Sequence, residues 1–347
     1  MIIKIILILL LLLLALAGLY VYNNLNYYKK PKKQTQKAGF VEKQIQLPNG
    51  TVLNYGEGPN NGLSLMLIHA QTAAWQDYEP VLPELSKHFH IYAIDCHGHG
   101  KSSKDPSKYS AEEMGKDFIW FIKNVIKQQT IVSGNSSGGL LAAWLAANSP
   151  ENVQAIVLED PPFFSCEANR CEKSFAWIDS FQPMHEYLKQ TEQTDYVMYY
   201  IKNCHWLKYF GNGREGIINY AQKYREKHPN KKLQFFFLPP SINKTFRFLD
   251  YYDPRFGDGF YDCSWLKNFN HAETLAKINC DSVLIHANFK YENDILLAAM
   301  DNKDAQKASS LIKNNELIKV NASHVVHSHK PQLFIKIMKD FLGKLQS

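Results

Sequence analysis

Residues 134–138 read Gly-Asn-Ser-Ser-Gly, and Ser136 at their centre is the chain's candidate nucleophile. A serine hydroxyl is a poor nucleophile at neutral pH, so it needs a base beside it. Acyl chemistry also needs donors aimed at the oxygen that becomes charged. The flanking sequence suits such a site. Thr130–Ser133 is a short, largely apolar run, and Gly139–Ala147 is rich in Leu and Ala, as a helix would be. Strand, Gly-x-Ser-x-Gly and helix together form a sharp turn that strains the serine backbone. The helix N-terminus then directs free N–H groups and partial positive charge at it. Small residues two positions either side are needed because the two backbones nearly touch. A buried Gly/Ser turn has the same five residues; the strand and helix around them favour the chemical reading.

The elements that must position Ser136 follow from periodicity. Val41–Leu47 and Thr51–Tyr55 alternate around Pro48-Asn49-Gly50, a hairpin signal. Leu63–Ile68, Ile91–Ile94, Ala155–Asp160, Asp281–His286 and Glu316–Val320 read as further strands, the first nearly all apolar. Helical patterns separate them: Trp75–His88, Tyr109–Lys127 (opened by a Ser110–Glu113 capping box), Ala305–Lys313 and Pro331–Leu345. This alternation predicts an α/β class and a parallel sheet. The rhythm breaks at Pro161-Pro162 and resumes at Asp281. Residues 161–279 hold 26 of the 45 aromatic residues and predict a mainly helical lid, with helices from Ser174 to Lys227 and a strand only at Leu233–Leu238. Packing of the insert on itself accounts for much of the same aromatic content. The expected organisation is 1–23 membrane or signal segment, 24–39 solvated linker, 40–160 and 280–347 core, and 161–279 lid.

This order of parts resembles the α/β-hydrolase fold family over most of residues 40–345. The resemblance rests on the apolar strand ending in His69-Ala70-Gln71, the Asp95-x-x-Gly98-x-Gly100-x-Ser102 turn, the elbow, the mid-chain insert and the late His324-x-x-His327. In detail it is similar to a bacterial subgroup of serine hydrolases with a long lid and an N-terminal membrane segment. The family implies an eight-stranded, mostly parallel sheet flanked by helices, with the lid after the sixth strand. It implies a Ser-His-Asp triad acting through an acyl-enzyme, with Ser136 as nucleophile and His324 as base; His327 and His329 compete for that role. For the acid, Asp294 comes first because it closes the loop after the seventh strand. Asp160, at the end of the sixth strand, is the alternative, and Glu292 is third. The backbone N–H groups of Gln71 and Ser137 are the expected oxyanion donors. Two positions depart from the family pattern: Ala70 stands where Gly is usual, and Lys290 occupies a common place for the acid. His69, His97 and His99 are expected to make local hydrogen bonds in tight turns. The implied reaction is hydrolysis of an apolar or amphiphilic carboxylic ester. Acyl transfer or C–C or amide cleavage on the same triad, and a non-catalytic ligand-binding role, are the alternatives. A serine at the elbow argues against dehalogenase and epoxide-hydrolase chemistry, for which this fold uses Asp.

No metal or organic cofactor is expected. The net charge of +6 comes from six lysines in residues 1–40; beyond them basic and acidic residues balance at 33 each, which gives no footprint for nucleic acid. Ile5–Tyr22 is uncharged and just long enough to span a bilayer. An anchor with tyrosines at the interface is favoured over a signal peptide cut near Ala15-Leu16-Ala17. Five lysines after the span place the domain in the cytosol by charge bias, whereas a signal-anchor places it outside. Of six cysteines, Cys96 and Cys280 are expected to be buried, and Cys166 and Cys171 are close enough to pair. Asn135 and Asn321 open glycosylation sequons beside the proposed site, which weakly disfavours passage through a glycosylating lumen.

Overall fold

Nearly every residue in the predicted central strands is buried, because the sheet is covered on both faces. The computed structural model describes residues 1–347. Strands β1 (Val41–Gln46), β2 (Val52–Glu57), β3 (Leu63–Ile68), β4 (Phe89–Ile94), β5 (Thr130–Asn135), β6 (Val153–Glu159), β7 (Asp281–His286) and β10 (Asn315–Lys319) form one sheet in the order β1-β2-β4-β3-β5-β6-β7-β10. The β1–β2 and β2–β4 pairs are antiparallel and the rest parallel. Alternation along the strands divides the core. Met66, Ile68, Val132, Ile156 and Leu158 pack in the cluster that includes α4 (Ala111–Phe121) and α5 (Ser137–Asn148). Leu65, Leu67, Ile131, Val157 and Val283 pack with α3 (Leu82–Leu85) and the closing helix Pro331–Gln346. Parallel register pairs Ile68 with Gly134, Gly134 with Leu158, and Leu158 with Leu284. The loops leaving β3, β5, β6 and β7 therefore share one sheet edge, where ligands bind in open α/β sheets.

The insert contains helices α6 (Gln182–Lys189), α7 (Tyr196–Asn203), α8 (Arg214–Lys227), α9 (Pro240–Leu249), α10 (Pro254–Tyr261) and α11 (His271–Ala276). Its aromatics stack on one another, with Phe260 5.0 Å from Phe181 and 4.5 Å from Trp265. They also merge with the α4/α5 side of the main core. The aromatic content thus packs the insert on itself and fuses it to the sheet domain. Beyond the insert lie a two-stranded hairpin, β8 (Tyr291–Glu292) and β9 (Ile295–Leu296), then α12 (Asn302–Leu311), α13 (Val326–His329) and α14 (Pro331–Gln346).

Several expectations are corrected. Residues 24–39 are not a solvated linker. Helix α1 runs Ile2–Asn26 and α2 spans Lys29–Lys37. Asn24 is buried and donates to Phe236 O at 3.0 Å, and Thr35 is buried against Glu79 O. Trp75–His88 forms only a 3₁₀ turn at Trp75–Tyr78 and the short α3. Leu233–Leu238 is not a strand, because Asn243 accepts from Phe235 N–H and donates to Phe235 O, satisfying backbone groups that a sheet would use. Cys280 is only half-buried, and Cys166 and Cys171 are free thiols.

Candidate active site

Ser136 sits between β5 and α5 with φ 56° and ψ −120°, a backbone conformation that L-residues rarely occupy. The turn is held by contacts that leave no room for side chains. A Cβ on Gly134 would lie 2.1 Å from Gly138 O, and one on Gly138 would lie 2.2 Å from Ile68 O. Ser136 N–H donates to Glu159 O at 3.0 Å, pinning the turn to β6. Gly138→Ala should destabilise the fold by about 1–3 kcal/mol through overpacking against backbone that cannot yield. A melting temperature equal to wild type would contradict that account of the elbow.

The loop after β10 carries His324. Asn135, next to the serine, donates through Nδ2 to His324 O at 3.0 Å and to Glu159 O at 3.1 Å. One side chain therefore holds the histidine loop against the elbow. His324 Nδ1 lies 2.7 Å from Asp160 Oδ2, which orients the ring and leaves Nε2 as its free nitrogen. The Asp160 carboxylate is buried, and its other oxygen accepts from Ala287 N–H at 3.1 Å. Burial opposes its ionisation, but the neighbouring His286 and the hydrogen bond from His324 prevail and lower its pKa. Burial likewise opposes protonation of His324; the Asp160 hydrogen bond and charge outweigh it and raise the pKa above the ordinary histidine value. His324 keeps 38% of its side chain accessible.

Asp294, the first choice for the acid, is not the partner of His324. It sits exposed at the turn between β8 and β9 with φ 63°, so the hairpin directs it to solvent. Glu292 is taken by Tyr209 (2.8 Å) and Lys208 (3.7 Å). His329 Nδ1 meets Ser323 Oγ on its own loop.

His327 is fully buried between two carboxylates. Its Nδ1 lies 2.7 Å from Glu159 Oε2, and its Nε2 lies 3.1 Å from Asp77 Oδ2. Lys244, from α9 of the lid, reaches Asp77 at 2.6 Å and Ser328 Oγ at 2.7 Å. Burial lowers the His327 pKa, but the two carboxylates outweigh it and push it up to about 9. This raised value sits above the ordinary histidine value of about 6.5. The cluster's stabilising effect is therefore full below pH ~6.5 and is lost as pH rises through about 9. Melting temperature should fall across that window in wild type and less steeply in His327→Gln; parallel curves would contradict a charged His327.

The two expected oxyanion donors are both without a partner. Gln71 and Ser137 N–H groups donate to no backbone carbonyl or side chain. Ala70 keeps a negative φ, and the left-handed kink falls instead on Thr72, with φ 62°. Thr72 N–H donates to His99 Nε2 at 3.1 Å, and Cys96 N–H donates to His69 Nε2 at 3.0 Å. His97 pairs with Asp117 at 2.9 Å. Local bonds are present, His69 Nδ1 to Ala70 O and His99 Nδ1 to His97 O, but these three histidines also tie together segments 20 to 27 residues apart. Above them, Met184 Sδ of the lid lies 3.4 Å from both Gln71 Nε2 and Tyr252 OH, so α6 closes over the donor loop.

Sequence reasoning gave no role in the site to Asn135, Glu159, Asp77 or His286. Asn135 and Glu159 adjoin residues it did choose, but their partners lie 189 and 168 positions away. His286 is buried with Nδ1 3.6 Å from Asp160 Oδ1, behind the acid.

Comparisons with known proteins agree with this fold. Residues 64–196 match the model of the alpha/beta hydrolase fold family. The chain is 28% identical over 148 residues to bifunctional epoxide hydrolase 2 of Sus scrofa, covering 42% of this chain and 24% of that protein. It is 32% identical over 117 residues to the pimeloyl-[acyl-carrier protein] methyl ester esterase of Aliivibrio fischeri (strain MJ11), covering 33% and 42%. It thus spans less than half the length of these relatives. A membrane phospholipase A described as a bacterial virulence factor superposes with TM-score 0.61 at 18% identity, over 99% of both chains. The enol-lactonase of Burkholderia xenovorans LB400 gives 0.60 at 16%, over 87% and 100%. With its sheet order and its elbow, the chain has an α/β-hydrolase fold, and residues 64–196 are similar to that family's model.

Proposed function

We propose that this chain is a serine hydrolase that cleaves carboxylic esters with an apolar or amphiphilic acyl group. The observation that carries the reading is the 2.7 Å His324–Asp160 pair, tied to the elbow by Asn135. His324 Nε2 takes the Ser136 proton as Oγ attacks the acyl carbon. The tetrahedral oxyanion accepts from the Gln71 and Ser137 N–H groups. The alcohol leaves with the proton from His324, and water then cleaves the acyl-enzyme by the same route. Asp160 stays ionised and stabilises the imidazolium. Relatives named as ester-cleaving enzymes support the ester reading. The epoxide hydrolase likeness does not extend to chemistry, because Ser136 stands where that chemistry in this fold uses Asp.

Helix α1 is read as a membrane anchor. It has 25 residues, is long and apolar enough to cross a bilayer, and buries none of its apolar window. Alkaline carbonate extraction of membranes tests this: retention of the chain with residue 1 intact supports an anchor, and release of a chain starting near residue 18 contradicts it.

The function is tested by turnover of p-nitrophenyl esters of increasing acyl length by the full chain in neutral detergent. Turnover with a maximum at medium or long chains is expected. Hydrolysis no faster than by Ser136→Ala on every ester would overturn the reading.

A further inference from the structure

A second cavity lies away from Ser136. It occupies about 430 Å³ between α2, the lid and the β3 and β4 loops. Tyr27 and Tyr28, the first residues after α1, form part of its wall. If α1 spans a bilayer, the mouth of this cavity stands at the headgroup layer, where tyrosines concentrate.

Its charges are unevenly matched. Three carboxylates line it, and each is already engaged. Glu79 pairs with Arg247 at 2.9 Å, and Glu42 pairs with Lys101. Asp95 accepts from Trp75 N–H at 2.7 Å, Asn54 Nδ2 at 2.7 Å and Lys101 N–H at 3.0 Å. Asp250, nearby, pairs with Arg225. Two cations remain without a carboxylate: Lys32 on α2 and Lys232 of the lid. Lys232 is half-buried, with its ammonium 4.7 Å from the Tyr251 ring centre and 5.8 Å from that of Phe248. Burial and then the neighbouring Arg247 charge lower its pKa. Glu79 and Asp250 act on Lys232 only from beyond ion-pair distance and are paired with Arg247 and Arg225, so this half-buried ammonium on two aromatic faces, beside two further cations, has no contacting anion. Arg247 lies over the Tyr28 ring at 5.0 Å, so its guanidinium is fixed at the same wall. The volume suits a small polar ligand.

We infer that this cavity binds the phosphate of a membrane phospholipid headgroup between Lys32, Lys232 and Arg247, docking the lid on the bilayer surface beside α1. The proposal rests on the reading of α1 as an anchor, which carbonate extraction tests separately. The lid's Phe236 is 44% exposed and its carbonyl accepts from Asn24 at the foot of α1, so the same lid face continues toward the apolar layer.

The test uses the full chain in uncharged detergent, with Ser136→Ala in every sample so that no lipid is hydrolysed. Dihexanoyl phosphatidylglycerol, dihexanoylglycerol and inorganic phosphate are titrated by calorimetry. Phosphatidylglycerol should bind best, and Lys232→Met combined with Lys32→Met should weaken it about tenfold or more, whereas Lys232→Arg retains binding. Equal binding of dihexanoylglycerol, or unchanged affinity in the double variant, overturns the site. Equal loss in Lys232→Arg and Lys232→Met overturns the role of charge. Inorganic phosphate binding as tightly as the lipid overturns the assignment to a membrane headgroup. Loss of the anchor alone would appear in carbonate extraction and leave the titration intact.

Discussion

Ser136→Ala is expected to lower ester turnover by a factor on the order of 10⁵ or more, with the fold unchanged. The magnitude follows from the role: without Oγ no acyl-enzyme forms, and only the oxyanion donors and substrate binding remain to accelerate attack by water. The substitution removes one oxygen from a half-buried site. Alanine tolerates the positive φ no worse than serine does, so the melting temperature should stay close to wild type. A fall of less than tenfold in kcat, with a normal melting curve, would mean that another nucleophile carries the reaction.

Asp160→Asn is the second large effect, on the order of 10⁴ in kcat, because an amide at this position favours the wrong imidazole tautomer and no longer stabilises its cation. Asp294→Asn, exposed on the hairpin, should change kcat by less than about twofold, as surface substitutions generally do little. The pH profile separates orientation from packing. His324 must be neutral to act, so activity rises with pH through its pKa. Asp160 raises that pKa above the ordinary value, so the acidic limb should move to lower pH in Asp160→Asn. A variant crippled at Asp294 but not Asp160, or an unmoved limb, would contradict the assignment.

The sheet was legible in the sequence because buried parallel strands are apolar runs, and the elbow was legible because its glycines are imposed by backbone contact. The acid was not. Counting along the loop after β7 leads to Lys290 and then Asp294, but β8 and β9 close as a hairpin that turns Asp294 outward. Asp160 directly follows β6 with φ 46°, and its carboxylate meets the β7 loop and the β10 loop only because those strands share an edge. That adjacency is three-dimensional, and no local spacing records it. Residues 24–39 misled for a related reason. Their Asn, Lys and Gln composition is that of a solvated linker, yet the few buried contacts at Asn24 and Thr35 join the helices to the lid and to the loop after β3. The His327 cluster was equally hidden, since its partners Asp77, Glu159 and Lys244 come from three distant segments.

The central claim is that Ser136 is an activated serine. The most direct measurement is labelling of the full chain with a fluorophosphonate, followed by peptide mass spectrometry. Stoichiometric modification at Ser136, absent in Ser136→Ala and strongly slowed in Asp160→Asn, is the predicted result. No labelling of folded wild type, or labelling at another serine, would contradict it.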